Sequence, residues 1–255
     1  MVSIIIPFKD RPELLKCCVD SILGKTLGFF EVILVNNNSK KDETKKILNE
    51  IGEDTRIKLL DFNKPFNFSE INNLATAHAI GEYLVFLNND TEVISENWLE
   101  EMLKCFDNEK VGAVGAKLLY PNGTIQHAGI EIKNGDLAHS FSKQFDCDDG
   151  DIPFNKKREC IAVTGACMMT RKTLFMELGG FDENNLAIAY NDVDYCFKIR
   201  EKGLKVMYIP DAKLYHYESA TRGQDILKRF LQPKRYKEFL KERAFLRNKW
   251  ASYFN

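Results

Sequence analysis

"GEYLVFLNNDTEV", residues 81–93, is the stretch whose reading decides the fold. Tyr83 to Leu87 is a short, continuous apolar run, as expected of a strand buried on both faces. It passes directly into Asn88, Asn89 and Asp90. In an open α/β sheet, ligands bind in the crevice beyond the carboxyl ends of the strands. Asn and Asp also close turns by bonding their own backbone. The three residues are therefore a site with one carboxylate or simply a turn, and only their neighbours can decide.

Outward from this stretch, strands and helices alternate. "VSIIIPF" (2–8), "FEVILVN" (30–36) and "RIKLLDF" (56–62) read as strands rich in β-branched and aliphatic residues. Arg11 and Pro12 open a helix to about Leu23, with Leu15, Cys18, Val19 and Ile22 at helical spacing, and Asp42–Ile51 forms a second. Ser69 is the expected N-cap of a helix over Glu70–Ala79. A helix over 96–106 and the strand "VGAVGAKLL" (111–119) follow. This order predicts a doubly wound α/β unit with a mostly parallel sheet. Beyond it, "GTIQHAGIEI" (123–132) reads as one strand, 133–158 as a polar mobile loop and "CIAVTGACMMT" (160–170) as another strand. "NDVDYCFKIREKG" (191–203) is a helix with acids in its first turn and Gly203 as its stop.

Composition narrows the class. The 255 residues are 44% hydrophobic and 29% charged, enough for one large domain with an appendage. A net charge of −1 leaves bulk electrostatics silent about nucleic acid, and no such partner is expected. Seven Cys occur without a C-x-x-C pair, which predicts reduced thiols. No signal-peptide pattern and no run of about 18 apolar residues is present, so a cytoplasmic protein is expected. The first strand is not followed by G-x-G-x-x-G, which disfavours a dinucleotide oxidoreductase.

Three Asn-rich or acidic clusters stand at strand ends or helix starts: "NNNS" (36–39), "NND" (88–90) and "NDVD" (191–194). Each alone is compatible with a turn or a helix start. Their order and spacing, with "PFKDRPELL", "LNNDTEV", "GGFDE", "DVDYCFKIREKG" and "LYHYES", resemble glycosyltransferase family 2 on a GT-A fold over nearly all of residues 2–219. "GTIQHAGI" and "LAHSF" resemble, more loosely, the rhamnosyltransferase-like and galactofuranosyltransferase-like members of surface polysaccharide assembly.

The resemblance implies inverting transfer of a sugar from a nucleoside diphosphate sugar, UDP- or dTDP-linked, to a saccharide or lipid-linked saccharide hydroxyl. A diphosphate leaving group calls for a hard divalent cation, Mn²⁺ or Mg²⁺. The family's D-x-D motif falls on Asn88 and Asp90, with Asp90 as the anionic ligand and Asn88 as a departure that brings no charge. His216 falls on the position that completes the metal sphere, and Asp192 on the catalytic base. First-turn acids also complement the helix dipole, which is the simpler reading of Asp194 and Asp192. Pro7, Phe8, Asp10, Arg11, Asn36, Asn37, Asn73, Asn88 and Asn89 are the implied nucleotide contacts. Gly165, Ala166, Asn191, Asp194 and His127 are assigned to the donor or acceptor sugar. The Asp-to-Asn departures also admit an alternative, a sugar-nucleotide-binding module without catalysis.

The chain divides, on this reading, into a GT-A domain over 1–220 and an extension over 221–255. The domain has a nucleotide-binding half (about 1–118) and an acceptor-binding half (about 119–220). Residues 222–249 carry ten basic and three acidic side chains, a net +7, with aromatics interleaved. This is either a helix that packs its aromatic stripe on the domain or one that rests on an anionic bilayer. The second reading would place the protein at the inner face of the membrane.

Overall fold

The computed structural model describes residues 1–217 and 233–254. The basic and aromatic residues Arg222, Lys228, Arg229 and Phe230 lie outside the described residues. The expected alternation is present: β1 (Val2–Phe8), α1 (Pro12–Lys25), β2 (Phe30–Asn36), α2 (Asp42–Ile51), β3 (Ile57–Asp61), α3 (Phe68–His78) and β4 (Tyr83–Leu87). Then come β5 (Thr91–Val93), α4 (Trp98–Lys104) with a 3-10 turn to Asp107, and β6 (Val111–Leu119). The second half holds β7 (Ile125–His127), β8 (Ile130–Lys133), β9 (Asp136–His139), β10 (Arg158–Cys160), β11 (Cys167–Arg171), α5 (Lys172–Glu177), α6 (Asn191–Glu201) and β12 (Lys205–His216). Helices α7 (Pro233–Lys249) and α8 (Ala251–Phe254) close the chain.

One mixed sheet runs β10-β12-β6-β11-β4-β1-β2-β3, with β5 on β12 and β7 on β6. Strands β1, β2, β3 and β4 are parallel, β11 enters antiparallel between β4 and β6, and β12 runs parallel to β6. The central strands alternate between two cores. Val85 and Leu87 join Leu15, Val19, Trp98 and Met102 under α1 and α4 on one face. Leu84 and Phe86 join Ile71, Phe175, Phe181 and Tyr195 on the other, with Phe86 ring centroids 4.9 and 4.7 Å from Phe175 and Phe181. Each such side chain contributes about 1.5–3 kcal/mol on burial. Burial on both faces is why these strands read as unbroken apolar runs.

Several expectations change. Ser69 is not the α3 cap: the Asn67 side chain accepts from Glu70 N at 3.0 Å, while Ser69 Oγ donates to Leu186 O at 2.5 Å. The strand expected over 123–132 breaks into β7 and β8 at Gly129, whose φ of +91° few other residues tolerate. The loop expected over 133–158 is partly structured. It contains β9, and Lys117, buried in β6, pins it by donating to Asp146 and Asn155 at 2.7 and 2.5 Å. All seven Cys are free, as expected.

The register sets where the site forms. The carboxyl ends of β1, β2, β4, β6 and β12 and the start of β11 lie on one sheet edge, with Leu87 opposite Cys167 and Tyr215 opposite Leu119. Chain order reverses at β1, which has β2 on one side and β4 on the other, and such a switch point opens a crevice.

Candidate active site

A cleft of about 1160 Å³ occupies that edge. Its floor is the "NND" turn, which several elements brace. Asn88 N donates to Ala166 O at 3.1 Å, Tyr217 N to Asp90 O at 2.8 Å and Thr91 Oγ1 to Asn88 O at 2.9 Å. Cys18, from α1, reaches Asn88 O at 3.7 Å, and burial pushes its thiol up to about 12. It acts as a packing group rather than a nucleophile.

His216, at the end of β12, meets this turn. Its Nε2 lies 3.2 Å from Asp90 Oδ1 and 3.2 Å from Asn88 Nδ2. Asp90 and His216 are only 4% and 5% exposed. On the other side of the ring, His216 Nδ1 is 2.6 Å from Gln126 Oε1. Gln126 Nε2 is 3.4 Å from the His216 carbonyl, which can only accept, and this sets the orientation of the amide. Nδ1–H therefore donates to Gln126, and a neutral ring turns its Nε2 lone pair toward a carboxylate oxygen. That lone pair accepts from Asn88 Nδ2 and stands beside the Asp90 carboxylate. One carboxylate oxygen and one imidazole nitrogen, joined by the Asn88 amide oxygen once that amide is turned, make a donor set that fits a divalent cation of the manganese type. Among the described residues no group of three His, Cys, Asp or Glu side chains is arranged to hold a metal, and here the third donor is an amide.

Asp192 faces the same cleft from the first turn of α6. Its Oδ2 accepts from Gly165 N at 2.8 Å and its Oδ1 from Val193 N at 2.8 Å. Pro7, Phe8, Arg11, Asn88, Asn89, Gly165, Ala166, Asn191 and His127 also line the cleft. His127 is fully buried. Its Nε2 faces two backbone donors, Gly129 N at 3.2 Å and Thr164 N at 3.5 Å, so its proton sits on Nδ1, 2.9 Å from Nδ1 of His139. Desolvation first, then the neighbouring His139, Arg158 and His216, holds His127 well below the usual imidazole range.

Other predicted residues take structural positions. Asn73 does not reach the cleft lining. It bonds Phe181 O and Phe181 N at 2.9 and 3.0 Å and Glu183 Oε2 at 2.9 Å, and so fixes the "GGFDE" turn. Asn37 is buried and donates to Phe62 O and Lys64 O, and Asn36 donates to Asp61 Oδ1 at 3.0 Å. Asp10 ties two loops together by accepting from Lys40 N and Lys41 N at 2.9 and 3.0 Å. Burial raises the Asp10 carboxyl, but these two bonds and the nearby lysines bring it below its ordinary value. Asp194 turns away from the cleft. It is wholly buried and accepts from Trp250 Nε1 at 2.8 Å, with Lys249 Nζ at 2.6 Å and Lys198 Nζ at 3.3 Å.

Sequence reasoning did not find Gln126, Lys9, Arg235, Glu238 or Phe239 for this cleft. Gln126 sits within the quoted "GTIQHAGI", so its signal was present. The α7 residues carry no signal of their own, because only tertiary packing brings that helix to the site.

Strand order and the switch-point cleft are those of a GT-A fold. It is shared with the crystal structure of GalNAc-T7 with UDP, GalNAc and Mn²⁺ (TM-score 0.71, 16% identity, 85% of this chain and 44% of that one). It is also shared with the mannosyltransferase PcManGT from Pyrobaculum calidifontis in complex with GDP-Man and Mn²⁺ (TM-score 0.66, 17% identity, 96% of this chain and 63% of that one). The Glycosyl transferase family 2 model matches residues 3–179, and the chain belongs to that family. Among curated relatives, it is 43% identical over 233 residues to the O-antigen biosynthesis protein RfbC of Myxococcus xanthus, covering 89% of this chain and 18% of that protein. It is 37% identical over 257 residues to the uncharacterized protein y4gI of Sinorhizobium fredii, covering 99% of this chain and 28% of that protein. The chain thus spans under a third of either relative. It is 24% identical over 199 residues to the O-antigen chain rhamnosyltransferase WbaN of Salmonella anatum, covering 78% of this chain and 60% of that protein.

Proposed function

We propose that this chain is an inverting, metal-dependent glycosyltransferase that moves a sugar from a nucleoside diphosphate to a saccharide or lipid-linked saccharide hydroxyl in surface polysaccharide synthesis. The observation that carries the reading is the meeting of Asp90, Asn88 and His216 in one cleft with Asp192, in a chain of this family. Asp90 and His216, with the Asn88 amide, are the residues that would hold a divalent cation. When bound, the cation would neutralise charge on the diphosphate leaving group.

The chain's own residues supply the rest. The acceptor oxygen attacks the anomeric carbon from the face opposite the diphosphate. The carbon–oxygen bond to the β-phosphate breaks, and its electron pair leaves with the diphosphate. The acceptor's proton passes to the Asp192 carboxylate. Two backbone donors on Asp192 hold its orientation and leave lone pairs for the incoming hydroxyl. Pro7, Phe8 and Arg11 flank the nucleotide at the switch point. The work takes place in the cytoplasm, at the inner membrane face if the acceptor is lipid-linked. Among the described residues no helix is long and apolar enough to cross a membrane.

A thermal-shift screen of UDP-, GDP- and dTDP-sugars with and without Mn²⁺, followed by NMR of the product's anomeric configuration, tests the reading. A metal-dependent shift with one donor class and an inverted product is expected. No shift with any donor would overturn it.

A further inference from the structure

Helix α7 is built into the cleft rather than appended to it. Glu242, 6% exposed, accepts from Ala189 N at 2.7 Å and Ile188 N at 3.2 Å, in the loop that leads into Asp192. Asp194, two residues after Asp192, receives Lys249 and Trp250, and Tyr253 stacks on Phe197 of α6 at 4.1 Å. Arg247 Nη1 donates to Gly135 O at 2.7 Å and Arg243 pairs with Asp136, on the β8–β9 hairpin that carries His139. One helix therefore bridges the two segments that flank the cleft opposite the nucleotide strands.

The face of α7 toward the cleft has a particular chemistry. Phe239 is 40% exposed, and its ring lies 5.3 Å from Tyr190 and 6.4 Å from Tyr236. Arg235 and Glu238 border the same opening. A pyranose ring has a C–H face that packs on an aromatic plane and a hydroxyl edge that needs hydrogen bonds. An aromatic plane with a cation and a carboxylate beside it offers both.

We propose that α7 is the acceptor-side wall of the site: Phe239 and Tyr190 form the platform for a pyranose ring of the acceptor, and Glu242 is the positioning residue that holds this platform in register with Asp192. The proposal rests on the glycosyl-transfer reading and adds where the acceptor sits.

Saturation-transfer NMR tests it without knowledge of the natural acceptor. The probes are methyl glycosides of rhamnose, galactose and N-acetylglucosamine at millimolar concentration, with UDP, GDP and dTDP plus Mn²⁺ titrated calorimetrically in parallel. The wild type should transfer saturation to the C–H face of at least one glycoside. Phe239→Ala should weaken that glycoside by roughly tenfold, as aromatic anchors do, and Phe239→Tyr should restore it. Glu242→Ala should speed amide exchange at Ile188 and Ala189 by roughly tenfold or more and weaken the same glycoside, with partial recovery in Glu242→Gln. Nucleotide binding should persist in all four variants, which shows that they are folded. Contact with no glycoside, or contact unchanged in Phe239→Ala, overturns the acceptor wall while nucleotide binding still supports the transferase reading. Loss of glycoside contact in Glu242→Ala without faster exchange overturns the positioning role. A wild type that binds none of UDP, GDP and dTDP overturns both.

Discussion

Asp192 and Asp194 lie on the same turn of α6, yet the structure gives them different work, and this difference can be measured. Asp194→Asn keeps the shape of the side chain and one oxygen for the Trp250 indole. It removes the charge that meets Lys249 at 2.6 Å and Lys198 at 3.3 Å. Breaking a buried ion pair from one side costs about 3–5 kcal/mol. The Lys249 and Lys198 side chains are 31% and 18% exposed, so each can recover some hydration. That lowers the expected loss to about 2–3 kcal/mol. At about 2–4 °C per kcal/mol for a domain of this size, Tm should fall by roughly 4–12 °C. Trp250→Phe removes a hydrogen bond to a charged acceptor, worth about 1.5–3 kcal/mol, and the double variant should lose less than the sum because both changes act on one carboxylate. Differential scanning calorimetry, with near-UV circular dichroism as a second probe, reads these shifts. An Asp194→Asn protein that melts within about 1 °C of the wild type would refute the argument that this carboxylate anchors the C-terminal helices.

Other consequences follow from single contacts. Gln126→Ala removes the group that orients His216, and should weaken Mn²⁺-dependent nucleotide binding by about 10–100-fold in calorimetry, as loss of such partners does at metal sites. His127 is held neutral in the fold below its ordinary value of 6.5, so the unfolded chain binds the extra proton. Stability should therefore decline as pH falls below about 6.5, with a slope approaching 1.4 kcal/mol per pH unit, and His127→Gln should flatten that slope in urea titrations at several pH values. Gly180 has a φ of +65°, and a Cβ there would lie 2.5 Å from Asn73 Oδ1. Gly180→Ala should cost about 1–3 kcal/mol in denaturant titration while leaving nucleotide affinity intact, because it disturbs a turn outside the cleft lining.

The alternation of strands and helices was legible because the central strands are buried on both faces and α1 shows one apolar stripe of Leu15, Cys18, Val19 and Ile22. That Asn88, Asp90, His216 and Asp192 share one cleft was legible because their motifs stand at strand ends and at a helix start on one sheet edge. Asn73 was expected at the nucleotide and Asp194 either at a sugar or on the helix dipole, and the contacts of Asn73 with Phe181 and of Asp194 with Trp250 were not legible, because a motif does not state which face of a helix meets which neighbour. Asn67 and Ser69 are both competent caps, and the contact of Ser69 with Leu186, 117 positions away, decides between them. Glu242 and Phe239 were hidden for the same reason. Their roles depend on α7 returning to the loop before α6, a tertiary fact with no local trace. The aromatic stripe of the C-terminal segment was read two ways, and Leu246, Trp250 and Tyr253 do pack against the domain.

The account's central claim is that Asp192 takes the acceptor's proton in a cleft where nucleotide binding is the work of other residues. The most direct test compares Asp192→Asn with the wild type in transfer from whichever of the UDP-, GDP- and dTDP-sugars the wild type consumes with Mn²⁺, alongside calorimetric nucleotide affinity. Loss of a general base predicts a fall in turnover of about 10²–10⁴-fold, with nucleotide affinity changed by less than about twofold. Transfer at the wild-type rate by Asp192→Asn would contradict it.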